Sequence, residues 1–290
     1  MKNRHQVHNL IILDESGSMS SIKPQIISGF NELVQSIKGI EEQFPEQEHF
    51  ISLVSFNDIE NKILHFVDPV EKLDVINDSN YKPSSLTPLY DAMGFSISKL
   101  KHYLEGKDNY NVLVTVLTDG EENASKEYTG SAIKNLVDEL KLQNWTFTYI
   151  GADHDVEAMA SKMNIFNTMS FDKNEQDIKK MFIKESKSRV KYSLSIRNGK
   201  KYNNDFYSKS SNDHTDFKLT QDEKNNEIIY SNNVTIEIMK TEEALPYIQI
   251  ERLAVGKSAN EARNRAEKIK YGYKIEGNKI ILDNYYLNFV

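Results

Sequence analysis

From residue 8 to about residue 185 the chain alternates short continuous apolar runs with longer stretches whose apolar residues recur every three to four positions. That rhythm predicts strands followed by amphipathic helices. Residues 7–13 read as the first strand. A helix over about 23–42 follows, carrying Ile26, Ile27, Phe30, Leu33, Val34 and Ile37 on one side. Residues 50–56 and 62–67 are two strands joined by Asn57-Asp58-Ile59-Glu60-Asn61, a hairpin or tight loop. Pro88 opens a helix to about Leu104. The β-branched run at 111–117 has no polar alternation, as expected of a strand covered on both faces. Helices at 130–142, 155–163 and 175–188 alternate with strands at 145–150 and 167–171. The expected fold is therefore α/β, a doubly wound and mostly parallel sheet with helices on both faces. Ligands in such sheets bind at the carboxyl ends of the strands, where strand order reverses.

Beyond about residue 190 the texture changes to short Tyr-, Ile- and Asn-rich segments broken by Asn198-Gly199, Asn203-Asn204, Asn225-Asn226, Asn232-Asn233 and Gly277-Asn278. Residues 234–239, 246–253, 271–275 and 279–282 read as strands. Ser258 and Glu261 form a capping box for a helix to about Ile269. The boundary falls at 188/189, with domain 1–188 followed by a smaller β-rich domain 189–290 containing one helix.

The sequence of 290 residues has no cysteine, which excludes disulfides, thiolate metal sites and a cysteine nucleophile. That absence, a first strand with no signal-peptide core before it, and the lack of any apolar stretch near 18 residues predict a soluble, cytoplasmic protein without a membrane span. The net charge of −7 is uneven, with 18 Lys+Arg against 29 Asp+Glu in residues 1–185 and 18 against 14 in 186–290. An acidic main domain argues against nucleic acid as a partner.

Candidate chemistry begins where the first apolar run stops, at Asp14-Glu15-Ser16-Gly17-Ser18. One carboxylate and two hydroxyls on neighbouring backbone positions suit a hard cation, Mg2+ or Mn2+, far better than zinc. Alone, Ser-Gly-Ser after a strand is more often a turn or helix cap. Thr87, in a loop just before a helix, is by itself a capping residue, and Asp119-Gly120 by itself a turn. All of them fall at one predicted edge of the sheet.

The set Asp14-x-Ser16-x-Ser18, Thr87 within T-P-L-Y-D-A, and Asp119 within L-T-D-G-E-E-N resembles the metal-ion-dependent adhesion site of von Willebrand factor A-like domains. The likeness covers about residues 6–185 and extends to Gly29-Phe30-Asn31, the strand and loop at 145–152 and the helix at 153–165. It implies that Ser16, Ser18 and Thr87 supply hydroxyl oxygens, and that Asp14 and Asp119 bind directly or through water. It also implies a binding role, in which the cation takes an Asp or Glu carboxylate from a protein partner. Asp91 and Glu121 are candidates to support the ligands, with a solvated role equally open. A slighter likeness joins residues 234–287 to the C-terminal segment of phage-shock-protein-C-like proteins.

The enzyme readings are weaker. Ser16 stands where an aspartyl-phosphate phosphotransferase has its second acid, Ser16 is not in a G-x-S-x-G elbow, and the P-loop pattern is absent. No lysine has an obvious place beside the ligand set. His154 reads as a capping, exposed residue, and His65 as exposed on an edge strand. A non-enzymatic, metal-dependent interaction module is expected. A phosphohydrolase using the same cation and a metal-free scaffold are the alternatives.

Overall fold

The structure is a computed structural model that describes residues 4–199 and 206–207, together with the backbone of six strands farther along. The chain divides into two compact units, Met1–Tyr207 and Ser208–Val290. The first holds strands β1 (His5–Asp14), β2 (Gln47–Phe56), β3 (Asn61–Pro69), β4 (Tyr110–Thr118), β5 (Trp145–Gly151) and β6 (Asn167–Ser170). They form one sheet in the order β3-β2-β1-β4-β5-β6. Only β3 runs antiparallel to its neighbour. The chain builds from β1 outward to β3, then returns to lay β4 on the other side of β1. Strand order thus reverses between β1 and β4, where a parallel α/β sheet opens its crevice.

Both faces are covered. Leu10 and Ile12 of β1, with Val112, Val114 and Val116 of β4, pack under α2 (Leu89–Leu104), α3 (Gly130–Lys141) and α4 (Val156–Lys162). Ile11 and Leu13, the alternate positions of β1, pack on the opposite face with α1 (Lys23–Gln43) and α5 (Glu175–Arg197). Two-sided burial is why these strands show no apolar–polar alternation. Gly29 lies where α1 meets α5, and a Cβ there would fall 2.1 Å from the Phe182 ring.

The predicted boundary at 188/189 falls inside α5, which continues past Ser188 to Arg197. Ser186, Ser188 and Arg189, which flank that boundary, are buried. Arg189, 2% exposed, donates from Nε to Glu185 Oε1 at 2.9 Å, from Nη1 to Asn9 Oδ1 at 2.7 Å and from Nη2 to Thr115 Oγ1 at 2.7 Å. Tyr207 Oη donates to the other Glu185 oxygen at 2.5 Å. Phe206 packs with Tyr192, Val7 and Leu113. The helix end and the segment after it therefore belong to the first unit.

In the second unit β7 (Lys218–Gln221), β8 (Glu227–Ser231), β9 (Val234–Met239) and β10 (Tyr247–Arg252) form an antiparallel sheet in the order β10-β9-β8-β7. β11 (Tyr273–Glu276) and β12 (Lys279–Leu282) pair as a hairpin. β7 and β8 lack a strong apolar run and were not among the predicted strands. The predicted helix at 258–269 lies outside the described residues.

Two predictions follow from the packing of the first unit. Replacing Arg189 with Leu leaves Glu185 buried without its cation, and should cost about 3–5 kcal/mol in urea unfolding. Burial, then Arg189 and Arg4, hold His49 down at about 3, and burial with Lys107 holds His8 at about 4. Each is neutral when folded and takes a proton on unfolding below about pH 6.5, so their contribution is intact above that pH and is lost as pH falls toward 4. The two together should tilt unfolding free energy downward by about 2.7 kcal/mol per pH unit across that window. The His49→Gln variant should show a shallower slope in the same titration.

Candidate metal site

Asp14 ends β1, and Asp119 immediately follows β4. The parallel register pairs Leu13 with Leu117, so the two acids leave the sheet side by side at the reversal point. Both are buried, at 0% and 2% exposure. Asp14 Oδ1 accepts from the Ser16 N–H at 2.7 Å, and Oδ2 accepts from Thr118 Oγ1 at 2.6 Å. Tyr81 Oη donates to the Asp14 carbonyl at 2.7 Å. Ser18 Oγ donates to Asp119 Oδ1 at 2.5 Å and lies 3.1 Å from Ser16 Oγ. Asp14, Ser16, Ser18 and Asp119 thus form one connected polar cluster, with Ser18 on its exposed side.

Thr87 approaches from another wall. Its N–H donates to Asn123 Oδ1 at 2.9 Å and its carbonyl accepts from the Asn123 N–H at 3.2 Å, which fixes the loop ahead of α2. A Cβ on Gly120 would fall 3.3 Å from Thr87 Oγ1 and 3.9 Å from Ser18 Oγ. Both hydroxyls therefore border the same small space, and the glycine leaves it open.

The loops around this space are tied by acids. Glu15, the residue between Asp14 and Ser16, turns away and binds Lys62 Nζ at 2.8 Å and the Lys82 N–H. Gly17 donates to the Ser85 carbonyl at 3.0 Å, with Ser85 held at φ 67°. Asp91 accepts from the N–H groups of Lys126, Glu127 and Tyr128 at 2.7–2.9 Å. Glu122 accepts from the N–H groups of Ala124, Ser125 and Tyr90. Asp91 is thus a loop anchor, while Glu121 is exposed.

Sequence reasoning did not find Lys173, which lies between β6 and α5 and has no motif around it. Its Nζ sits 2.6 Å from Asp119 Oδ2 and 2.7 Å from Asp153 Oδ2. This corrects the expectation that no lysine stands beside the ligand set. Two histidine expectations also change. His154 is half-buried, with Nδ1 2.6 Å from the Ala152 carbonyl and Nε2 3.1 Å from Tyr149 Oη, while Asp155 caps α4. His65 is largely covered on β3, 3.0 Å from Asp68.

Burial pushes the Asp14 carboxyl up to about 6, with the Asp119 charge adding to it and the bonds from Thr118 and Ser16 opposing it. Ionised Asp14 is therefore favoured by any cation brought close. Burial lowers the Lys173 ammonium, but Asp119 and Asp153 outweigh that and hold it above its ordinary value. Among the described residues no group of three or more His, Asp or Glu side chains is placed to hold a metal. A cation held at this space would instead draw on two carboxylates and neighbouring hydroxyls. An all-oxygen donor set of that kind, with an ammonium already drawn to one acid, fits a hard divalent ion.

A family model described as the von Willebrand factor type A domain matches residues 10–189, well over half of the chain. The chain belongs to the von Willebrand factor type A (vWA) family. A second model, described as the ToastRack found in some PspC, matches residues 220–289. No functionally curated protein matches the chain. Among solved structures, the SpRpn10 vWA domain is 13% identical with a TM-score of 0.41, over 61% of this chain and 94% of that one. Proximal thread matrix protein 1 from the mussel byssus is 14% identical with a TM-score of 0.43, over 66% and 46%. The pilus adhesin SpaC from Lactobacillus rhamnosus GG is 13% identical with a TM-score of 0.45, over 66% and 31%. The chain spans less than half the length of the latter two. No described helix is long and apolar enough to cross a membrane.

Thr118→Val removes the donor to Asp14 and the acceptor of the Gly120 N–H, which bonds Thr118 Oγ1 at 3.1 Å. The change keeps the side-chain shape and should cost about 1–3 kcal/mol in a denaturant titration, because a buried carboxylate and a half-buried N–H lose their partner.

Proposed function

We infer that this domain, like vWA domains generally, serves as a protein-interaction module. We propose that this one binds Mg2+, with Mn2+ as a substitute, through Asp14, Ser16, Ser18, Thr87 and Asp119, and uses it to capture an Asp or Glu carboxylate on a protein partner. The supporting observation is the convergence of two buried acids and three hydroxyls at the β1/β4 reversal, with Ser18 open to solvent. Two carboxylates only balance a divalent ion, and neutral hydroxyls leave it electron-poor, so a coordination position favours an incoming carboxylate. The second domain would add a further protein contact. The cysteine-free composition suits a reducing cytosol, and cytoplasmic location is part of the same proposal.

Lys173 gives the phosphohydrolase alternative one observation in its favour, since an ammonium beside the acids could hold a phosphate. Its two carboxylate partners keep it protonated, however, so it cannot take a proton from water as a base.

Affinity purification with the full chain from its native cell should recover partners in Mg2+ and lose them in EDTA. Asp14→Ala should lose the same partners while retaining the wild-type circular dichroism spectrum. Recovery undiminished by EDTA would sink the metal bridge. Phosphate release from generic phosphoesters that disappears in Asp14→Ala would favour the hydrolase instead.

A further inference from the structure

Lys173 stands outside the ligand set, yet it engages that set more closely than any other cation among the described residues. Its ammonium lies 2.6 Å from Asp119 Oδ2, and the Asp119 side chain is 0% exposed. The other oxygen, Oδ1, is held by Ser18 Oγ at 2.5 Å. Both oxygens of one of the only two acids in the set are therefore engaged. The Lys173 side chain is 20% exposed, so it reaches the buried acid from the solvent side.

The second partner differs in kind. Asp153 is outside the ligand set, its side chain is 59% exposed, and its backbone is held at φ 58° in the left-handed region. Aspartate tolerates that conformation better than most residues, at some cost. The ammonium thus bridges a buried acid that a metal would need and an exposed one that it would not. Leaving Asp119 does not strip Lys173 of a counter-ion, because Asp153 remains 2.7 Å away.

We propose that Lys173 is an internal counter-cation that competes with the divalent ion for Asp119, so that metal entry shifts its ammonium onto Asp153. The inference rests on the metal reading above and adds a control to it. An ammonium and a divalent ion sharing one buried carboxylate repel each other, so each weakens the other's hold on it. Metal affinity is then set partly by how firmly Asp119 holds its lysine. The site is tuned toward weak, exchangeable metal binding, and a change that loosens the lysine strengthens the metal.

The test is calorimetric titration of the full chain with MgCl2 and with MnCl2. Lys173→Met, which keeps most of the side chain's length and removes its charge, should bind at least tenfold more tightly than wild type. Lys173→Arg should bind no better than wild type. A second measurement needs no variant: amine acylation of Lys173, read by mass spectrometry, should rise when Mg2+ replaces EDTA, because a lysine moved to an exposed acid is more reachable. Equal affinity of wild type and Lys173→Met, or acylation unchanged by metal, would overturn the competition while leaving the metal reading standing. Absence of divalent binding in both proteins would overturn the metal reading and this inference together. Should Lys173→Met not fold, the acylation measurement on wild type decides.

Discussion

Everything at the functional end of the first domain depends on placing two carboxylates beside each other under cover. The reversal of strand order between β1 and β4 does this without any special loop, since parallel register sets Leu13 against Leu117 and the acids follow. Burial raises the Asp14 carboxyl, and repulsion from the Asp119 charge adds a smaller share to that cost. The surroundings offset it with donors: Thr118 and the Ser16 N–H on Asp14, Ser18 and Lys173 on Asp119. The strand ends are thus an electrostatic problem first, and the hydroxyl-rich loop is its local answer.

The acid excess of this domain has a second use. Glu15, Asp91 and Glu122 are spent on backbone N–H groups and one lysine, stapling the loops that carry Thr87 and Asp119. Loops without regular structure leave N–H donors unpaired, and a carboxylate accepting two or three of them fixes a loop more firmly than packing alone. Asn123 does the same for both sides of the Thr87 peptide. What faces the open space is then mostly hydroxyl, although the composition is acidic.

The sheet was legible because its strands are buried on both faces and read as continuous apolar runs, and because the helices keep one apolar stripe each. The five candidate residues were legible because three sit in a single pentapeptide and the other two sit beside a helix start and a strand end. The end of the domain was not. Arg189 looks like a solvated position in sequence, and its pairing with Glu185, Asn9 and Thr115 lets it lie inside, next to buried Ser186 and Ser188. Lys173 was hidden for the same reason, since a lone lysine after Phe171-Asp172 carries no local pattern and acquires meaning only from Asp119 and Asp153. Periodicity reports apolar burial, and charge satisfied across the fold leaves no period.

The same hidden contacts bear on the proposed choice between binding and turnover. A general base must stand deprotonated near neutral pH, and Lys173, the amine beside the buried acids, is held protonated by Asp119 and Asp153. His154 lies on a neighbouring loop, but its ring nitrogens face the Ala152 carbonyl and Tyr149 Oη. With Lys173 and His154 engaged in this way, the group in the cluster shifted toward neutral pH is Asp14, raised to about 6 by burial, and a nearby cation would favour its ionised form. On the proposed reading, a cradle of modest charge would hold an ion loosely enough for another carboxylate to share it. That balance is what a reversible contact between proteins requires, and a fully acidic cage would not provide it.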